Sequence, residues 1–129
     1  MLYQVKSTKP IAQIGRDLEA AAQRNKFGVM AVHDLKAKMQ EKGVDFASEC
    51  MIYEVCNPQQ AKNVLDVNPQ ISTALPCRVS VYPDPSGGVT LATMRPTAMI
   101  EMFHTPGLQA VAQEVEAAII QIMDEAAHG

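Results

Sequence analysis

A chain of 129 residues, 47% apolar and 19% charged, is long enough for one domain with a true core and too apolar for a disordered segment. Its formal charge of −3 and its scattered Lys and Arg exclude the basic surface that non-specific nucleic-acid binding requires. No apolar run is long enough for a transmembrane helix, so no membrane partner is expected, and three cysteines cannot all pair in disulfides.

The start, Met1-Leu2-Tyr3-Gln4-Val5-Lys6, is too short and polar for a signal peptide, and a reducing cytoplasm is the expected compartment. Leu2 to Lys6 alternates apolar and polar side chains and predicts a first strand. Thr8 as a cap, with Pro10 in the first turn, opens a helix whose stripe is Ile11, Ile14, Leu18, Ala21 and Ala22, ending near Asn25. Phe27 to Val32 is almost continuously apolar, which predicts a strand buried on both faces or lying at a dimer seam. Asp34 caps a short helix carrying Leu35 and Met39, with Gly43 as its stop. Phe46 to Val55 reads as the next strand, with Glu49 and Glu54 on opposite faces.

Asn57-Pro58 marks a helix start. Asn accepts a hydrogen bond from a first-turn amide, and Pro needs no donor at the first helical position. Ala61, Val64 and Leu65 then give a narrow stripe that ends near Asn68-Pro69, and Ile71 to Leu75 is a short connection. Cys77, Val79 and Val81 alternate with Arg78, Ser80 and Tyr82, so Cys77 points inward from a half-buried strand. The turn Pro83-Asp84-Pro85-Ser86-Gly87-Gly88 joins it to a strand over Val89 to Met94. Arg95-Pro96-Thr97 begins another helical turn, broken at Thr105-Pro106-Gly107. From there Leu108, Val111, Ala112, Val115, Ile119, Ile122 and Met123 line one broad face of a long last helix. This order predicts one α+β domain over residues 1–129: two layers, a mainly antiparallel sheet, helices packed on one face and a long C-terminal helix.

Two cysteines sit where an extended segment meets a break. Cys56 ends a strand ahead of a helix N-terminus, where free amides and the helix dipole favour a thiolate. Glu54, two residues back on the same strand face, opposes that charge. A helix and a return loop fit between Cys56 and Cys77, so the two can be neighbours. Glu54, Cys56, Asn57 and Cys77 are therefore the candidate ligand-binding residues. Free cysteine is also a common apolar core filler, and the structural and reactive readings both stand at this point. Met99, Met102 and His104, with Met94 and Cys77 upstream, form a soft donor set for copper(I) or a haem axial position, although methionines at such spacing commonly serve a core. His33, at the end of an apolar strand, reads as structural. No nucleophile elbow, phosphate loop, dinucleotide fingerprint or zinc spacing is present, so no catalytic residue is assigned and the cofactor is unknown.

The pattern Glu54-Val55-Cys56-Asn57-Pro58, then Ala61, Leu65 and Leu75-Pro76-Cys77-Arg78-Val79, resembles the family called domain of unknown function 302, from the first strand to about Phe103. The resemblance implies a compact two-layer α+β domain, often dimeric, and implies no activity. Eight methionines against few aromatics also suit an adaptable apolar surface. The reading that follows is a non-catalytic homodimeric module for a small apolar or planar ligand. Its alternatives are a cysteine-based sulfur or redox protein using Cys56 and Cys77, and haem or copper binding through Met and His.

Overall fold

The computed structural model describes residues 1–129. In chain order the elements are β1 (Leu2–Ser7), α1 (Ile11–Arg24), β2 (Gly28–Asp34), α2 (Leu35–Glu41), β3 (Met51–Cys56), α3 (Pro58–Val67), a 3-10 helix (Pro69–Ala74), β4 (Cys77–Pro83), β5 (Val89–Met94), α4 (Pro96–Glu101) and α5 (Gln109–His128). The five strands form one antiparallel sheet in the order β1-β5-β4-β3-β2. The α+β architecture and the long last helix are as the sequence predicts. No helix is long and apolar enough to cross a membrane.

Periodicity explains the layers. The stripe of α1 buries Ile14, Gly15, Leu18, Ala21 and Ala22, and that of α5 buries Ala112, Ile119, Ile122, Met123, Ala126 and Ala127. Against them stand the alternate, inward side chains of the sheet: Tyr53, Val55, Cys77, Val79, Val81 and Leu91. Gly15 permits the close approach of α1, because a Cβ there would collide with the Tyr53 hydroxyl. The end of α5 is fastened by polar contacts. Ser7 Oγ donates to the Ala127 carbonyl at 2.7 Å, and Lys9 Nζ to the Ala126 carbonyl at 3.0 Å. A cation and a hydroxyl thus satisfy carbonyls that have no partner within the helix.

Several boundaries differ from expectation, each for a local reason. β2 lies at the sheet edge, with Met30 65% and Val32 42% exposed, so the chain itself does not bury it on both faces. β3 begins at Met51, not Phe46. Its last pair with β2 is Asp34 opposite Met51, and α2 begins at the next residue, so Phe46 to Cys50 has no strand to join. Glu49 therefore lies outside the sheet. Asp34 does cap α2, accepting from the Ala37 amide at 3.0 Å, and Gly43 takes φ +78° just beyond it. Thr8 does not cap α1, whose N-cap is Pro10 without a side-chain hydrogen bond. α5 starts at Gln109 and not at Thr105, whose hydroxyl accepts from Asn68 Nδ2 at 2.9 Å and donates to the Phe103 carbonyl at 3.1 Å.

Candidate functional site

Asn57 fixes the geometry between β3 and α3. Its Oδ1 accepts from the Gln60 amide at 3.1 Å, as a helix cap should, and its Nδ2 donates to the Lys26 carbonyl at 3.3 Å. The second bond ties the start of α3 to the turn between α1 and β2, where Lys26 holds φ +64°. Cys56 is thereby held at the end of β3, beside the start of β4, where Val55 pairs with Cys77. The Leu75-Pro76 peptide bond that precedes Cys77 is cis.

Between α3, the strand ends and α5 lies a cleft of about 40 Å³ whose walls include Cys56, Asn57, Gln60, Leu75, Cys77 and Val115. A second lobe of about 50 Å³ shares Val64, Leu75, Cys77 and Val115 with it and continues to Met99, Ile100 and Phe103. Cys77 thus belongs to the walls of both. Eleven of the twelve residues lining the second lobe are hydrophobic. Behind it, Val64, Ile71, Ile100, Leu108 and Ala112 form a small apolar cluster separate from the main core.

The cleft holds both thiols in the neutral form near pH 7. Burial pushes the Cys56 thiol up. Cys77 is pushed up to about 11, by burial first and then by the neighbouring Cys56. The helix start does not reverse this for Cys56: Pro58 has no N–H, and Asn57 takes the Gln60 amide.

The remaining candidates are distributed unevenly. Glu54 does not line the cleft. It lies between His33 Nε2 at 3.3 Å and Arg78 Nε at 3.2 Å, and its hydrogen bonds to His33 and then Arg78 hold its carboxyl below the usual carboxylate range. Met99 lines the second lobe, whereas Met102, one residue past the end of α4, is 56% exposed. His104, with φ +49°, is exposed. No group of three or more His, Cys, Asp or Glu side chains is placed to hold a metal ion, and the cleft is too small to enclose a haem.

Sequence reasoning missed Gln60. Its Nε2 donates to Glu114 Oε2 at 3.4 Å, while its Oε1 is buried without a hydrogen-bond partner. A glutamine in the first turn of a helix carries no sequence signal for such a place.

Fold and site together define a two-layer α+β domain with a small, apolar, two-lobed cleft at one end of the sheet. Residues 3–126 match the family Domain of unknown function DUF302, and the chain belongs to that family. The match runs through most of α5, beyond the Phe103 limit of the sequence resemblance. The chain is also similar to a solved structure described as the uncharacterized conserved protein DUF302 from Bacillus stearothermophilus. The two are 31% identical over 97% of each chain, with a TM-score of 0.90. No curated protein matches.

Proposed function

We propose that this chain is a non-catalytic binding module, acting as a homodimer, that takes a small apolar molecule in the cleft between α3, α4 and α5. The observation behind this reading is the cleft itself. It is apolar and joins Cys56, Asn57 and Cys77 to Met99, residues far apart in the chain. An apolar hollow with few polar groups suits recognition by shape and desolvation. Two neutral thiols beside it act as apolar wall and not as nucleophiles. The same shift argues against the cysteine-based redox alternative, which needs a thiolate. Glu54, paired on both sides and off the cleft, is left out of the site. Support for a dimer comes from a shallow apolar hollow on the sheet, lined in part by Leu2, Ile52, Ala92 and Met94, with Leu2 51% and Met94 40% exposed. A second copy packed on this face would cover it.

The test has two readouts. Native mass spectrometry should report two subunits, and a monomer mass would remove the dimer. Thermal melting should rise with some member of a graded set of short alcohols, ethers and simple aromatics, as ligand binding to the folded state requires. Val64→Phe, which fills the cleft, should abolish that rise. A set in which nothing stabilises the wild type would remove the binding role.

A further inference from the structure

The orphaned carbonyl of Gln60 narrows the kind of molecule the cleft accepts; this step rests on the binding role proposed above. The amide orientation is set by Glu114. With Nε2 toward that carboxylate, at 3.4 Å, a donor meets an acceptor; the flipped amide would set oxygen against oxygen. The group left without a partner is therefore an acceptor, Oε1, on a residue that lines the first lobe. A buried acceptor without a donor is costly, and a ligand that supplies one recovers that loss.

Shape adds a second restriction. The lobes measure about 40 and 50 Å³ and share the walls Val64, Leu75, Cys77 and Val115. A dry cavity that holds a benzene ring is roughly 150 Å³, more than both lobes together, so the cleft takes a short aliphatic molecule and not a ring. Charge adds a third. The Glu114 carboxylate accepts from Gln60, and the walls hold amides, thiols and hydrocarbon but no cation, so a carboxylate head has no counter-charge there. We infer that the cleft takes a short aliphatic molecule with a hydroxyl or N–H head, the head donating to Gln60 Oε1 and the hydrocarbon lying against Leu75, Cys77 and Val115.

The inference separates two isomers. 1-Butanol and methyl propyl ether have the same atoms and similar length, but only the alcohol donates. In an NMR titration of the full chain, the alcohol should bind about tenfold more tightly than the ether, the worth of one hydrogen bond to a buried acceptor. Gln60→Met, close in shape but without the carbonyl, should bring the alcohol down to the level of the ether and leave the ether unchanged. Butanoate should bind more weakly than either. Equal binding of the two isomers to the wild type would overturn the donor requirement while leaving the cleft a binding site, as would tightest binding by butanoate or an undiminished preference in Gln60→Met. Binding of neither isomer would overturn this inference and the binding role together. If Gln60→Met does not fold, Gln60→Leu replaces it, with the same result expected.

Discussion

The two apolar clusters of this protein are packed by different rules. Under α1 and α5, Ile14, Leu18, Val79, Val81, Leu91 and Ile122 are each 0% exposed. Around the cleft, Val64, Ile71, Ile100, Leu108 and Ala112 keep between 2% and 9% of their surface. The contrast follows from element length. α1 and α5 have 14 and 20 residues, so each lays several turns of one stripe on the sheet. α3, the 3-10 helix and α4 have 10, 6 and 6 residues, and each begins with a proline: Pro58, Pro69 and Pro96. Proline sets each start and forbids continuation from the preceding turn. Short rods that cannot merge meet at their ends, and side chains there do not interdigitate as along a long face. The long helices bury their stripes, and the short ones leave a hollow between them.

Core truncation should break this contrast most visibly. Ile122→Ala, under the long helices, should cost about 4 kcal/mol in urea unfolding, near the upper part of the range for such changes. Ile100→Ala, beside the cleft, should cost only about 2 kcal/mol, because that site is already loosely filled. Equal losses would mean that the clusters are packed alike. A smaller effect tests how β1 is joined to the core under the long helices. Tyr3 donates to Asp124 at 2.5 Å, and its pKa is pushed up to about 12, by that hydrogen bond first and then by burial. The folded value lies above the ordinary tyrosine value of about 10. The contribution is therefore whole below pH 10 and fades as pH rises toward 12. Tyr3→Phe should lose about 1 kcal/mol at neutral pH and show a shallower loss of stability across that alkaline window. The smallest effect belongs to Lys62 and Asp66 on the outer face of α3, whose side chains are 67% and 63% exposed. Lys62→Ala should change unfolding by less than about 0.5 kcal/mol, and a larger change would show that α3 is held by its surface and not by Asn57.

Much of the core under the long helices was legible beforehand, because it is written in local repeats. The stripes of α1 and α5 and the hairpin strands Cys77–Pro83 and Val89–Met94 follow from spacing alone. The Asn57 cap was equally readable, since Asn followed by Pro has one economical use. Phe46 to Cys50 misled because its composition suits a strand, while pairing depends on where α2 diverts the neighbouring chain. The unbroken run from Phe27 to Val32 allows a doubly buried strand or a dimer seam; the chain itself leaves Met30 and Val32 exposed, and no polar residue in the run betrays that edge. The meeting of Cys56 and Cys77 was foreseeable as a possibility of chain length, and their shared cleft gives it a place. The hollow itself was not legible. Its walls come from α3, the 3-10 helix, α4 and α5, and nothing in the vicinity of Gln60 announces that its carbonyl will be buried. Gly15 was silent for the same reason, since its importance lies in the Tyr53 ring above it.

The strand order has a consequence for the chain during synthesis. β1 is made first, yet its only hydrogen-bonded neighbour is β5, with Leu2 opposite Met94. A nascent chain on the ribosome carries β1 as an unpaired ribbon until β5 has emerged, and the shield of α5 arrives later still. Contacts so distant in sequence form slowly and leave sticky edges open meanwhile. Translation speed and holding chaperones should therefore govern the yield of this protein more strongly than small changes in its final stability.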